Sequence, residues 1–216
     1  MKPLESSDSC GLPVVETFHS LQGEGIHSGR SAFFIRLAGC HVGCSWCDTK
    51  QSWPQDVHAR RSLQRLCSEA EQAVAAGAGF VVITGGEPLE HNLTPLCTAL
   101  QARDLVLHLE TSGVGDLSGT FNWITLSPKP HRWPSPEPLA ACHELKVVVH
   151  EAEDLYFAEA MAAASVRERN PEQPAPHLLL QPGWESAVGQ QLAINHVRSN
   201  PQWRLSLQNH KWLGVR

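Results

Sequence analysis

An α/β fold, a partial and open parallel β/α barrel with six or so core strands, is the architecture that this sequence predicts. Three observations predict it. Short apolar runs alternate with helical stretches along most of the chain, the order expected of parallel βα units. The runs at 80–84, 145–149 and 178–180 are apolar almost throughout rather than alternating, which marks strands covered on both faces. Six or seven such runs are present, too few to close an eight-stranded barrel.

Taken in order, residues 14–19 predict a short strand, and Ser20-Leu-Gln-Gly-Glu-Gly25 a loop, having two glycines and no apolar periodicity. Residues 33–37 are dense in β-preferring side chains and form a strand. Ser62 is the expected N-cap of a helix carrying Leu63, Leu66, Cys67, Ala70 and Val74 at helical spacing and ended by Gly77 and Gly79. The strand 80–84 is broken by Gly85-Gly-Glu-Pro88. A helix at about 93–102, a strand at 105–110 and a loop Thr111-Ser-Gly113 follow. Further strands are expected at 123–126, 145–149, 178–180 and 203–207, with helices at 152–164 and 186–197. Residues 130–138 carry four prolines and read as an irregular surface loop. There is no internal repeat. One domain spanning 1–216 is expected, with a flexible tail of about residues 1–13.

The chain of 216 residues is long enough for one large core, burying roughly 70% of its unfolded surface. Its 17 basic and 22 acidic residues give a net charge of −5 without a basic run, which excludes the footprint of a nucleic-acid binder. No apolar stretch is long enough to span a bilayer, and no export signal opens the sequence. Seven cysteines, an odd number in a chain of this size, fit a reduced, cytoplasmic protein better than a disulfide framework.

The chemistry concentrates at Cys40-His-Val-Gly-Cys44-Ser-Trp-Cys47, three cysteines spaced C-x3-C-x2-C on a loop directly after a strand. Three thiolates can wrap one inorganic centre, yet a closed zinc site or a fully ligated iron–sulfur cluster wants four ligands. Either a distant residue is the fourth ligand, or one position is open to something that binds there. The other polar residues that stand out lie just past strand ends as well: 84–87, 110–112, 127–129, Gln181 and Gln208. In parallel α/β folds that rim is where loops converge and ligands bind.

The cysteine spacing with Trp46 and the Gly85-Gly-Glu-Pro88 turn after a strand resemble the radical S-adenosylmethionine superfamily. Ser20-Leu-Gln-Gly-Glu-Gly25, Phe34-Ile-Arg-Leu-Ala-Gly-Cys40, Cys47-Asp-Thr49, Thr84-Gly-Gly-Glu-Pro88, Glu110-Thr-Ser-Gly113, Ser127-Pro-Lys129 and Gln208-Asn-His-Lys211 narrow the resemblance to the 7-carboxy-7-deazaguanine synthase family of the queuosine pathway. The match runs from about residue 14 onward. It implies a barrel of the radical S-adenosylmethionine type holding a [4Fe-4S] cluster on Cys40, Cys44 and Cys47, with S-adenosylmethionine on the open iron. It also implies Mg²⁺ at Thr49 and a 6-carboxy-5,6,7,8-tetrahydropterin substrate that undergoes hydrogen abstraction, ring contraction and loss of ammonia.

By the same resemblance, S-adenosylmethionine contacts Trp46, Cys47, Asp48, Gly86, Glu87, Ser127, Pro128, Lys129 and Gln181. Gly86 and Glu87 would receive its amino group, and Trp46 would pack near its adenine. Leu21, Gln22, Gly23, Arg36 and Thr84 bind the pterin, Arg36 through the substrate carboxylate, with Glu24 and Glu110 nearby. Gln208, His210 and Lys211 close the site. A reductase or flavodoxin-type electron donor and a homodimer complete the expectation. Two rival readings stand beside it: a glycyl-radical activating enzyme acting on a protein partner, and a zinc-stapled module with His41 or a distant fourth ligand. The remaining cysteines, Cys10, Cys67, Cys97 and Cys142, follow no ligand spacing.

Overall fold

The computed structural model describes residues 11–216 as nine strands and six α-helices. Cys10 and most of the expected N-terminal tail lie outside these residues. Gly11, Leu12 and Pro13 do not form a tail: they open β1 (Gly11–Leu21) and pair with β3 (Arg60–Ser62). The remaining strands are β2 (Ser31–Leu37), β4 (Val81–Gly85), β5 (Leu107–Thr111), β6 (Trp123–Leu126), β7 (Glu144–Val149), β8 (His177–Pro182) and β9 (Trp203–Leu205). The helices are α1 (Leu63–Ala75), α2 (Thr94–Gln101), α3 (Pro136–Ala141), α4 (Glu153–Arg167), α5 (Ala187–Ser199) and α6 (Asn209–Leu213).

All nine strands join one sheet, ordered β3-β1-β2-β4-β5-β6-β7-β8-β9. From β2 to β9 every neighbouring pair is parallel and each strand lies beside the one before it in this series. A strand order that never reverses sends every crossover to the same side, because βα crossovers share one hand. The sheet therefore curls like part of a barrel, with helices outside and a concave inner face, and it does not close. The expectation of an open β/α barrel holds, with two additions. β1 is antiparallel to both neighbours, and β3 is a three-residue edge strand that its polar sequence, Arg-Arg-Ser, did not announce.

Side-chain alternation divides the molecule. Phe33, Ile35, Leu37, Val81, Ile83, Leu107, Leu109, Leu145 and Val147 pack outward into the main core beneath α1 to α5. The inner face has only a small apolar cluster, Ala32, Phe34, Phe80 and Val82, with Phe18 against it. Helices cover one face of the sheet, not both as the strand composition suggested. Arg36, Thr84, Glu110, Thr125, Lys146 and Gln181 sit at the other parity, on the concave side. Part of that side is crossed by the loop after β1: Ile26 N–H donates to Glu144 Oε2 at 2.9 Å and Gly25 N–H to Ser206 Oγ at 3.1 Å.

Local signals account for most boundaries. Ser62 Oγ accepts from Arg65 N–H at 3.3 Å, and Ser186 Oγ from Gly189 N–H at 3.0 Å, so both serines cap their helices. On α1 the buried stripe is Leu66, Cys67, Ala70 and Ala73; Val74, expected on it, turns toward solvent. The proline-rich stretch after β6 is not wholly irregular. Pro136 opens α3, using the first-turn position where its missing N–H costs nothing.

Candidate active site

The six strand ends singled out by sequence converge. One cavity of about 400 Å³ at the C-terminal rim is lined by Cys40, Cys44, Cys47, Thr84, Glu87, Glu110, Ser112, Ser127, Lys129, Gln181 and Gln208. Trp46, Asp48 and Gly86, expected on the nucleotide side, line it too; Pro128 is buried and does not. A second cavity of about 470 Å³ is lined by Leu21, Gln22, Gly23, Arg36, Thr49 and His210. Glu24, Asp48, Thr84, Glu110, Gln208 and Lys211 line both, so the cavities adjoin along those side chains. The residues expected to hold nucleotide and pterin thus fall into two neighbouring compartments.

The cysteine loop is built against its supports. Gly39 N–H donates to Ser52 O at 2.8 Å, Cys40 N–H to Trp53 O at 3.2 Å, and Cys47 N–H to Cys44 O at 3.2 Å. A Cβ on Gly86 would stand 2.1 Å from Gly39 O, so the turn after β4 can meet this loop only through glycine. From outside, Arg132 Nη1 donates to His41 O, and the His131 ring bonds Val42 O at 3.1 Å. The proline-rich segment, of no assigned use in the sequence, braces the loop. His41 itself turns outward, its Nδ1 2.9 Å from Glu90 Oε2, and lines neither cavity.

Cys40, Cys44 and Cys47 are free thiols, partly exposed toward the first cavity, while Cys67, Cys97 and Cys142 are buried in the core and line no cavity. Burial pushes the Cys40 and Cys44 thiols up; at Cys44 the Lys129 ammonium works against it. Among the described residues, no three His, Cys, Asp or Glu side chains stand close enough to hold a single metal ion. A zinc staple needs such convergence. An iron–sulfur cluster instead takes one thiolate per iron, and three soft donors lining one cavity fit that group. Thr49 Oγ1 lies 3.7 Å from Cys47 Sγ, and Thr49 lines the second cavity.

Glu87, expected to meet an amino group, is 1% exposed and already receives four hydrogen bonds. Leu89 N–H (3.0 Å) and the Thr111 hydroxyl donate to Oε1, and Ser112 donates N–H (2.8 Å) and hydroxyl to Oε2. The carboxylate ties the ends of β4 and β5 together, and any contact with a ligand adds to that duty. Burial still holds its carboxyl above the usual range, against those donors. Arg36 is not waiting unpaired: its Nε donates to Glu16 Oε1 at 3.1 Å. Asp48 pairs with Lys211 at 2.7 Å, and Trp46 packs on His131 and His150 with ring centroids 5.6 and 5.3 Å away.

Lys146 is the residue that sequence reading missed. It lies in β7, 4% exposed, and its ammonium bonds Glu24. Burial pushes the Glu24 carboxyl up, but the Lys146 charge and hydrogen bonds from Lys146 and Gln208 more than reverse this, holding it at about 2. Burial likewise disfavours the Lys146 cation, and Glu24, Glu110 and Glu144 outweigh it, so its pKa rises. The signal was present in the sequence as a lone cation inside the run Glu144-Leu-Lys-Val-Val-Val149, where alternation puts Glu144 and Lys146 on the concave face. Gln22 Nε2 donates to Glu110 Oε1 at 2.7 Å, and Gln208 Nε2 to Glu24 Oε1 at 3.0 Å, which extends this network into the second cavity. At Gly23 a Cβ would fall 2.1 Å from His210 Nδ1, so the chain passes directly under the α6 imidazole.

An open β/α barrel with a three-thiol loop after its first parallel strand, facing a rim cavity beside a second, polar one, defines an enzyme of the radical S-adenosylmethionine class. No family model matches the chain. It is 54% identical to the 7-carboxy-7-deazaguanine synthase of Prochlorococcus marinus, over 94% of this chain and 98% of that one. It is 48% identical to the enzyme of the same name from Synechocystis sp., over 100% of this chain and 99% of the relative. The crystal structure of QueE from Escherichia coli matches with a TM-score of 0.81 and 31% identity, over 94% of this chain and 96% of that one. The chain belongs to the 7-carboxy-7-deazaguanine synthase family. That membership sets aside the glycyl-radical activating enzyme and the zinc-stapled module.

Proposed function

We propose that the protein converts 6-carboxy-5,6,7,8-tetrahydropterin to 7-carboxy-7-deazaguanine in queuosine biosynthesis, with the chemistry divided between the two cavities. The observation that carries this reading is their adjacency: a thiol-walled compartment and a guanidinium-bearing one share Glu24, Thr84 and Glu110 along their boundary. A group activated in the first would therefore lie next to a substrate held in the second.

Cys40, Cys44 and Cys47 would hold the [4Fe-4S] cluster. When bound, the cluster and S-adenosylmethionine would supply the one-electron radical chemistry that hydrogen abstraction from the pterin requires. The protein's own groups bind and orient. Trp46, Asp48, Gly86, Glu87, Ser127 to Lys129 and Gln181 face or support the nucleotide. Leu21, Gln22, Gly23 and Thr84 hold the pterin edge, and the Arg36 fork suits a carboxylate. Thr49 supplies a hydroxyl oxygen for Mg²⁺, an ion that keeps most of its ligands as water and substrate oxygens. Lys146, kept cationic at the foot of the shared boundary, fixes Glu24 as a carboxylate facing both compartments. Gln208, His210 and Lys211 cover the site. The reading includes a cytoplasmic homodimer and a reductase or flavodoxin-type electron donor.

The test is anaerobic incubation of the reconstituted protein with carboxytetrahydropterin, S-adenosylmethionine and a reductant. A product with the mass of the carboxydeazaguanine and release of ammonia are expected. Cleavage of S-adenosylmethionine with the pterin recovered unchanged would refute the substrate assignment.

A further inference from the structure

We propose that Arg216 supplies a second guanidinium to the carboxylate-binding end of the second cavity, and that Glu16 is the positioning residue holding it there beside Arg36. The inference rests on the reading of Arg36 as partner of the substrate carboxylate. Glu16 Oε1 accepts from Arg36 Nε at 3.1 Å, and Glu16 Oε2 lies 2.9 Å from Arg216 Nη1. One carboxylate therefore bridges two guanidiniums. Both also approach one aromatic ring: their Cζ atoms lie 5.7 Å (Arg36) and 5.9 Å (Arg216) from the centroid of Phe18. Phe18 in turn stacks on Phe34 at 4.9 Å.

The sheet register builds this receptacle. Glu16 faces Arg36, and Phe18 faces Phe34, as direct partners between β1 and β2, so all four present the same face. These four and Arg216 line the second cavity. Glu16 balances one of the two guanidinium charges, and the main-chain O of Arg216 accepts from Ser20 Oγ at 2.6 Å. Glu16 takes the Nε edge of Arg36, while Nη1 and Nη2 donate to no described residue, which leaves the forked end for a bidentate carboxylate. Glu16 orients one fork, ties the tail to β1, and brings the second cation to the same end of the cavity. The pair Arg36 and Arg216 then sets the preference for a carboxylated pterin over one without that group.

The experiment measures dissociation constants of cluster-loaded protein, kept anaerobic and without reductant. The two probes are 6-carboxytetrahydropterin and tetrahydropterin lacking the carboxylate. Arg216→Ala is expected to weaken the carboxylated probe roughly tenfold and the other less than about twofold. Equal weakening of both probes would mean that the tail only packs, and it would overturn the proposal, as would no change in either. Arg36→Ala separates the two levels of inference. If it leaves the carboxylate preference intact, the carboxylate reading of Arg36 falls. If it removes the preference and Arg216→Ala does not, only the present inference falls. In a Glu16→Ala background, removing Arg216 as well is expected to change the preference by less than about twofold. A full tenfold effect there would strip Glu16 of its positioning role.

Discussion

On the concave side Lys146, which lines the rim cavity, faces Glu24, Glu110 and Glu144, whereas at the N-terminal rim His27, His108, His143 and Trp123 crowd together with Phe80. The His108 ring lies 4.1 Å from Phe80 and 4.6 Å from His27, centroid to centroid, and Trp123 stacks on His143 at 5.1 Å. Burial first, then the like charges of His27, Arg30 and His143, push His108 down to about 3. Both rims thus bury ionisable groups, with opposite results. Where partners of opposite sign are supplied, the groups stay charged and can act on a ligand; where none is supplied, they stay neutral and serve as packing. The His27 Nε2 and Trp123 Nε1 atoms are buried without a hydrogen-bond partner among the described residues.

The contrast can be broken experimentally, beginning where the effect is largest. Cys44→Ala should abolish both the iron–sulfur absorbance and product formation while leaving the helical circular dichroism unchanged; cluster binding at normal stoichiometry would contradict the ligand assignment. Next comes the charged rim itself. Lys146→Met strands the Glu24 carboxylate and should cost about 3 kcal/mol in urea denaturation. Adding Glu24→Gln should recover much of that loss, and a double variant no better than the single one would show that the two do not act as a pair.

Acid should separate the rims by pH window. Glu24 falls from 4.5 to about 2 on folding, so its contribution is complete above pH 4.5 and is lost as pH drops toward 2. His108 also falls, from 6.5 to about 3, but it is a base. The unfolded chain takes up its proton first, so folded stability declines as pH drops from 6.5 toward 3. Between 6.5 and 4.5 the N-terminal rim alone responds of these two groups. His108→Phe should flatten that part of the stability profile by about 1–2 kcal/mol; an unaltered slope would mean that the cluster is not what senses acid. The smallest effect is expected at Arg132. Arg132→Ala should change stability by no more than about 0.5 kcal/mol, yet speed the bleaching of the cluster in air, since the loop between Cys40 and Cys44 loses a brace. Equal bleaching rates would remove Arg132 from that role.

Much of the active rim could be read from residue order because it is punctuated. The ends of β4, β5, β6 and β8 carry a glycine, proline or hydroxyl side chain, and those breaks, with C-x3-C-x2-C, locate the loops before any contact is known. The parallel strands were readable for a similar reason, since Val81–Ile83 of β4 and Leu178–Leu180 of β8 are apolar runs bounded by polar or turn residues. What stayed hidden depends on partners distant in the chain. Arg60-Arg-Ser62 becomes a strand only because β1 offers it an edge, and β1 is antiparallel because the chain turns back at Gly25 and Gly29. Lys146 is inconspicuous until Glu24, from a loop more than a hundred positions earlier, arrives beside it. Arg36 reads as a free cation until Glu16 is seen across the strand pair. The small α3 and α6 are too short for periodicity to reveal.

A sheet that stops short of closing has two unpaired borders, a standing invitation for another copy to continue the ladder. Among the described residues each border strand is only three residues long, β3 at one end and β9 at the other. Arg60 and Arg61 occupy the first and Arg204 the second. A neighbouring molecule trying to add its own border would meet few free amides and a like charge. The barrel can stay ajar for its ligands without becoming a seed for fibres.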